Sequence, residues 1–292
     1  MRKQYKGRTL LLCLAALIAA GEGSGAAPAP PQRIVSLTVC VDQLLLDLVP
    51  RERIAGLSYF AVDPTLSLKV EEARGIKSVH WFAEEVLALN PDLVLAQPYS
   101  TTAAVGLLQR LGFRVVLVPL ATDFDGMRQA IRVIAEAVGE TARGEAMIAA
   151  FDKRIAAAQP QGPERPRALA YQVNSLTSGQ GSLVDAALAA AGFHNMARDR
   201  RLGPAGRLPL EEIVANPPDL IVLANSPEEY RSIVGDNLRH PAFAHVVNSR
   251  PHMQLPMPLW LCATPRIADA VEELGVQRRA LIEAGSKSKA AP

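Results

Sequence analysis

The chain has 292 residues, 49% of them hydrophobic, and its 31 basic and 29 acidic residues give a formal net charge of +2. This apolar content is enough to bury a large core in one or two domains. The near-neutral charge excludes a strongly basic nucleic-acid-binding protein, and the scarcity of long apolar runs excludes a polytopic membrane protein.

Residues 1–26 have the pattern of a secretory signal peptide. Four basic residues precede an apolar run over residues 10–20, and small residues follow up to a cleavage site near Ala26. Cys13 follows the bulky Leu12, which argues against a lipoprotein processing site. We therefore expect a periplasmic, soluble protein without a lipid anchor. Removal of this segment takes away four basic residues and one acidic residue, which leaves no electrostatic basis for nucleic-acid binding.

Residues 27–122 alternate apolar β-branched runs with helical segments, and this alternation predicts a parallel sheet with helical crossovers. Pro50 and Gly112 each stop a predicted helix. The predicted strands are 33–37, 54–57, 93–96 and 114–118, and the predicted helices are 42–49 and 106–111. We interpret this segment as the N-terminal lobe.

A thirteen-residue stretch occurs twice, because residues 84–96 align without a gap with residues 211–223. Each copy predicts the end of a short helix, an Asn/Pro/Asp stop, and a strand buried on both faces. A separation of 127 positions is too long for a solenoid repeat. The repeat therefore predicts one α/β layout used in two lobes, with a cleft between them.

Residues 123–159 predict a connecting helical segment with a break near Gly139. Met147, Phe151 and Ile155 form one apolar stripe on a long backbone helix, which we expect to brace both lobes and allow little hinge motion. Residues 160–284 then form the C-terminal lobe, beginning with a strand over 167–172, and residues 285–292 are expected to fray. The predicted fold class is α/β, with two lobes, each a small parallel sheet flanked by helices, joined by this helix.

Four sequence features between residues 33 and 282 carry a resemblance to a known family. They are Arg33-Ile34-Val35-Ser36-Leu37 with Cys40-x-Asp42-Gln43-Leu44 behind it, the Glu-Glu…Pro-Asp-Leu-Val element of each half, Gly181-Ser182-Leu183-Val184-Asp185 with Asn195, and Trp260-x-Cys262-x-x-Pro265. In order and spacing the chain resembles the periplasmic binding proteins of metal-chelate ABC importers, which carry ferric siderophores, cobalamin or haem. The resemblance implies a bilobal monomer that delivers a metal chelate to an inner-membrane permease dimer with its ATPase.

In open parallel sheets, ligands bind beyond the carboxyl ends of the strands. This rule, together with the position of Trp81 just before the first repeat copy, selects the following candidate cleft residues: Thr38, Cys40, Tyr59, Trp81, Tyr99, Ser100, Gln172, Asn174, Asn225, Trp260 and Cys262. The aromatic members suit a large, partly apolar ligand. The alternative is that Tyr59, Tyr99 and Trp260 are ordinary half-buried aromatics, and that Trp81 and Tyr171 belong to the core.

Two other features leave alternatives open. Three interpretations of Cys40 and Cys262 are open: they form a disulfide, they are small residues of the cleft, or they are a thiolate pair that binds a soft metal. Residues 179–182 have two interpretations: they bind an anion at a helix N-terminus, or they form a turn in which Ser182 caps the helix.

The resemblance also implies that Glu84 and Glu211, the first residues of the two repeat copies, dock on arginines of the permease. Two carboxylates at fixed spacing would be read by a two-fold partner. The alternative is that these glutamates, with Glu85 and Glu212, solvate or cap helix starts, where negative charge is favoured.

The predicted function is therefore capture of a ferric siderophore or corrinoid, with no catalytic residue, no protein-held metal and no cofactor. The alternative function is a haem or corrinoid chaperone that is not coupled to transport. A zinc or manganese receptor is disfavoured because the five histidines lack tight ligand spacing. Axial ligation of a haem by His80 is disfavoured to a similar degree, and most of the histidines are expected to be surface or capping residues. A thiol enzyme would need Cys40 and His80 to meet, and nothing in the sequence places them together.

Overall fold

The computed structural model describes residues 29–98, 102–224 and 235–290. The N-terminal lobe contains five strands in the order β3-β2-β1-β4-β5, and all its strand pairs are parallel. Its strands are β1 (Ile34–Ser36), β2 (Ile54–Ser58), β3 (Ser78–Val79), β4 (Leu93–Ala96) and β5 (Val115–Leu117). Its helices are α1 (Val39–Leu48), α2 (Val70–Ala73), α3 (Ala83–Leu87) and α4 (Thr102–Arg110).

Two helices then connect the lobes, α5 (Phe124–Val138) and α6 (Thr141–Ala157). The C-terminal lobe has the strands β6 (Arg167–Tyr171), β7 (Leu176–Thr177), β8 (His194–Asn195), β9 (Gly206–Arg207), β10 (Leu220–Leu223) and β11 (His252–Gln254). Its helices are α7 (Leu183–Ala190), α8 (Leu210–Ala215), α9 (Asp236–Arg239), α10 (Pro241–Ser249), α11 (Met257–Leu261) and α12 (Ile267–Ala290). Strands β11-β10-β6-β8 form a parallel sheet, and β7 pairs antiparallel with β9.

The two lobes share one topology. The order β2-β1-β4-β5 in the first sheet corresponds to β8-β6-β10-β11 in the second. The two copies of the repeat fall on α3–β4 and α8–β10, which are equivalent places in this order. The predicted two-lobe α/β fold is therefore confirmed.

The aspartate of each repeat copy makes the same contact in its own lobe. Asp92 accepts the backbone N–H of Arg33 at 3.0 Å, and Asp219 accepts the backbone N–H of Arg167 at 2.7 Å. Arg33 and Arg167 stand at the start of the central strands β1 and β6. Each Pro-Asp stop thus ends a helix and also fixes the start of the neighbouring central strand.

Helices α5 and α6 form an antiparallel hairpin that breaks where the sequence predicted. Gly139 adopts a φ of 77°, a left-handed conformation that costs glycine little. Arg128 bonds Asp152 at 2.6 Å, and Arg132 bonds Glu145 at 2.7 Å, so the two helices are held side by side. Helix α6 has 17 residues and is about 25 Å long.

Helix α6 also contacts the C-terminal lobe directly. Arg154 on α6 bonds both Asp269 and Glu272 on α12, at 2.6 and 2.8 Å. One contiguous apolar core includes Ile34 of β1, Phe151 of α6 and Leu220 of β10. The lobes are therefore braced through helices that belong to both cores.

Four short strands, β3, β7, β8 and β9, were not expected from the sequence because each has only two residues. Helix α1 begins at Val39, three positions before the predicted start. Helix α12 continues to Ala290, so residues 285–290, which were expected to fray, are helical, and Lys and Ala in this segment favour a helix. Within the described residues, no helix combines the length and apolar character needed to cross a membrane.

A disulfide bond between Cys40 and Cys262 joins the lobes a second time. Cys40 lies in the first turn of α1, Cys262 follows α11, and their Cα atoms are 5.0 Å apart. The bond links positions 222 residues apart in sequence. Of the three alternatives for this pair, the structure shows the disulfide.

Replacing both cysteines with serine should lower the free energy of unfolding by about 2–5 kcal/mol, because the bond closes a very long loop in the unfolded chain. Urea denaturation of the wild type with and without a dithiol reductant, beside the double variant, measures this loss. Equal midpoints for oxidised wild type, reduced wild type and the double variant would contradict it. Peptide mapping without reduction should recover Cys40 and Cys262 in one linked species.

Candidate functional site

Four aromatic rings gather at the carboxyl edge of the N-terminal sheet. Strands β2 and β3 pair Leu57 with Ser78 and Ser58 with Val79. The next residues, Tyr59 and His80, therefore leave the sheet side by side. Their rings stack, with centroids 4.9 Å apart and planes 26° apart.

Phe60 and Trp81 complete this group. The Trp81 ring meets Tyr59 edge-on with centroids 5.1 Å apart, and the Phe60 ring lies 3.8 Å from that of Tyr59. We call Tyr59, Phe60, His80 and Trp81 the aromatic shelf. Trp81 is 46% exposed and the adjacent Phe82 is 56% exposed, which is unusual for rings of this size unless they contact a ligand or partner.

Glu85 holds one end of the aromatic shelf in place. Its Oε2 atom accepts the backbone N–H of His80 at 2.6 Å, and its Oε1 atom lies 3.2 Å from His80 Nδ1. The backbone N–H of His80, together with the imidazole, holds the pKa of the Glu85 carboxyl below its usual range. Glu85 is thus an ionised acceptor beside the imidazole.

A buried carboxyl group ties α1 to the end of β2. Asp42 is fully buried, and it accepts hydrogen bonds from the hydroxyl group of Ser58 and, at 3.3 Å, from its backbone N–H. Burial raises the pKa of Asp42 to about 7, although the hydrogen bonds from Ser36 and Ser58 oppose the shift. Because Cys40 lies on the same helical turn, the interlobe disulfide and the aromatic shelf are connected through α1.

The C-terminal lobe presents a polar rim after β6. Asn174 and Ser175 have φ angles of 58° and 56°, which non-glycine residues rarely adopt. Asn237 holds this turn, since it accepts the Asn174 N–H at 3.0 Å and donates to the Gln172 carbonyl at 2.9 Å. Arg207 donates to Asn174 Oδ1 at 2.8 Å and places a cation on the rim. The fixed turn is what a preformed binding rim requires.

A cavity of about 30 Å³ lies between the lobes beside the disulfide. It is lined from the N-terminal lobe by Cys40 and Leu120, and from the C-terminal lobe by Leu261. Leu120 and Leu261 are exposed at its mouth. A larger cavity of about 560 Å³ is lined by Pro166 and Asp219, at the amino ends of β6 and β10. The candidate residues follow the carboxyl ends of the strands, so this cavity lies at the other edge of the sheet.

The structure places the predicted cleft residues unequally. Tyr59 and Trp81 meet in the aromatic shelf, and Gln172 and Asn174 lie in the polar rim of the C-terminal lobe. Tyr99, Ser100 and Asn225 lie outside the described residues. Thr38 is half-buried, in the turn before α1. For these residues, contact with a ligand stays a prediction.

Two aromatic candidates are core residues. Trp260 is only 4% exposed and packs in the shared core, which favours the alternative of an ordinary buried aromatic. Tyr171 is fully buried, and its hydroxyl group bonds Ser175. Ser182 accepts the Asp185 N–H as the N-cap of α7, so the turn-and-cap interpretation of residues 179–182 is confirmed.

Sequence reasoning missed Phe60, Asn237 and Arg207. The pattern of β-strand ends could have found Phe60, which follows Tyr59, but the β7–β9 pairing that brings Arg207 to the rim has no sequence signal. Within the described residues, no three His, Cys, Asp or Glu side chains converge as a metal site.

Replacing Asp42 with asparagine should flatten the pH dependence of stability. An aspartate whose folded pKa is raised stabilises the fold fully below its unfolded pKa of about 4, and this contribution is lost as the pH rises through about 7. The wild type should therefore lose a few kcal/mol of unfolding free energy between about pH 4 and pH 8 that the variant does not lose. Urea denaturation across this range measures the difference, and parallel pH profiles for both proteins would refute it.

The chain is similar to known proteins in sequence. The model of the family described as periplasmic binding protein matches residues 34–248. A cobalamin-binding protein of Halobacterium salinarum is 31% identical over 198 residues, which cover 66% of this chain and 53% of that protein. The chain thus spans about half the length of the curated relatives that it matches.

Solved structures give the same picture for the fold. The periplasmic heme-binding protein RhuT from Roseiflexus sp. RS-1, in its apo form, superposes with a TM-score of 0.72 at 25% identity, covering 84% of this chain and 97% of that chain. The periplasmic vitamin B12 binding protein BtuF of Vibrio cholerae superposes with a TM-score of 0.63 at 18% identity, covering 86% of this chain and 98% of that chain.

Proposed function

We propose that this chain, which belongs to the periplasmic binding protein family, captures a metal chelate between its two lobes and delivers it to an ABC importer of the inner membrane. The aromatic shelf carries this proposal. It offers the half-buried Tyr59 stacked on the exposed His80, with the exposed Trp81 edge-on beside them, at the edge of the sheet where ligands of parallel α/β proteins bind. We assign it a binding role and no catalytic one.

The ligand class is supported by the shape and chemistry of the two rims. Stacked rings on the N-terminal lobe suit a large, partly planar ligand, while Asn174 and Arg207 offer polar contacts from the C-terminal lobe. Relatives at 31% and 25% identity are named for binding cobalamin and heme, both of which are flat metal macrocycles. We therefore propose a corrinoid, haem or ferric siderophore as the cargo.

The proposed permease-docking role of this chain is supported by a difference between the two glutamates of each acidic pair. Glu85 bonds His80, and Glu212 lies 2.5 Å from Arg200, so both second glutamates are engaged inside their own lobe. Glu84 and Glu211 are exposed and have no partner among the described residues. Their equivalent places on α3 and α8 present one free carboxylate on each lobe, as a two-fold permease would require.

Export to the periplasm is proposed from the signal-peptide pattern of residues 1–26 and from the family. A chaperone that is not coupled to transport would show the same ligand binding but would need no docking carboxylates. The docking experiment below separates these two functions.

Purified protein should bind at least one of cyanocobalamin, ferric haem or a ferric hydroxamate siderophore with a Kd of about 1 μM or below. Ligand contact with the aromatic shelf should quench tryptophan fluorescence, and replacing Trp81 with alanine should remove most of the quenching because Trp260 is buried in the core. Absence of a response to all three ligands would count against the proposed function.

A Glu84→Lys/Glu211→Lys double variant should keep the affinity for its ligand and lose uptake by a reconstituted importer, because two docking carboxylates become cations. The matched control is Glu136→Lys/Glu273→Lys, which reverses two exposed glutamates on α5 and α12. Uptake by the first variant equal to that by the control would show that docking lies elsewhere, or that the protein is a chaperone.

A further inference from the structure

We propose that His80 binds the metal of the cargo directly through its Nε2 atom, with Glu85 as the positioning residue. This inference rests on the proposed function and narrows its ligand class. The cargo would be a metal macrocycle with an exchangeable axial position, and would not be a siderophore that wraps its metal completely.

The contacts of Glu85 determine which nitrogen of His80 is available. A carboxylate can only accept hydrogen bonds, and Glu85 Oε1 lies 3.2 Å from Nδ1, so Nδ1 carries the proton. The lone pair of the neutral ring is then on Nε2. A histidine that donates its other N–H to a carboxylate is the arrangement by which proteins orient metal-binding imidazoles.

The second contact of Glu85 fixes the ring more firmly than a single bond would. Its Oε2 atom accepts the His80 backbone N–H at 2.6 Å while its other oxygen faces the ring. Backbone and side chain of His80 are therefore held by the same carboxylate. A role in the start of α3 alone would use only the backbone contact.

The Nε2 atom of His80 is also available to a ligand. Its side chain is 49% exposed, and Nε2 has no hydrogen-bond partner within the part of the chain that the structure describes. Tyr59 stacks against one face of the ring and limits its rotation. The free nitrogen is on the edge of the His80 ring, so a macrocycle bound through it would meet the edges of the stacked His80 and Tyr59 rings.

The other histidines differ in their surroundings. His194 bonds Asp199 through Nε2 at 2.6 Å, and His240 accepts the Ala242 N–H as a helix cap. His252 contacts the carbonyl of Arg250 at the start of β11. His245 is exposed on α10, away from the strand ends, and therefore provides a matched control.

The proposed bond needs no oxidant or reductant. A metal already held by the nitrogens of a macrocycle accepts one further donor, and the Nε2 lone pair replaces a weakly held axial water, which leaves to solvent. Ferric haem and aquocobalamin both offer such a position. Cyanocobalamin has a tightly held cyanide there and should gain nothing from His80.

The test compares the wild type, His80→Ala, Glu85→Gln and His245→Ala by absorption spectroscopy and affinity, with ferric haem, aquocobalamin and cyanocobalamin as probes. The wild type and His245→Ala should give a nitrogen-ligated spectrum with at least one of the first two. His80→Ala should lose this spectrum and about tenfold or more in affinity, and added imidazole should restore the spectrum. Glu85→Gln should keep the spectrum and bind about tenfold more weakly.

A His80→Ala protein with the spectrum and affinity of the wild type would overturn the inference while the proposed function stands. Wild-type binding of a ferric hydroxamate siderophore alone would do the same. Wild-type protein that binds no probe at all would overturn both. Circular dichroism and thermal unfolding of each variant confirm that the comparison is made between folded proteins.

Discussion

Two independent connections hold the lobes together, and they set where the candidate residues of one lobe lie relative to those of the other. Helix α6 bonds α5 on one side through Arg128 and Arg132, and α12 on the other through Arg154. The Cys40–Cys262 disulfide joins the lobes again beside the interlobe cavity. The aromatic shelf and the rim around Asn174 follow strands of different lobes, and these two connections hold both lobes in one body.

The layout of the lobes could be predicted because local sequence patterns determine where its helices and strands begin and end. The repeat at residues 84–96 and 211–223 combines a helix stop with a buried strand, and both copies form that unit in equivalent places. The break at Gly139 was predictable because a left-handed residue ends a helix most easily as glycine. Two-residue strands such as β3 carry no usable periodicity, so the pairing that sets His80 against Tyr59 was not visible.

The candidate site was predictable only where it follows strand ends. Tyr59 was found by that rule, and Trp81 by its position just before the first repeat copy. The burial of Trp260 depends on packing between α11, α12 and α7 that no local pattern reports. The disulfide joins residues 222 positions apart, and only the folded geometry brings their Cα atoms to 5.0 Å. The contact between Glu85 and His80 spans five residues, yet it depends on how α3 enters after β3.

Hydrogen exchange with and without a bound metal macrocycle shows whether a ligand is held between the lobes, because it reports protection on both lobes in one experiment. We predict protection on ligand addition at residues 59–62 and 80–85 of the N-terminal lobe and at residues 172–176 of the C-terminal lobe. Little change should occur around Glu164 and Pro166, where the larger cavity lies. Protection confined to one lobe, or centred on that cavity, would contradict capture between the lobes.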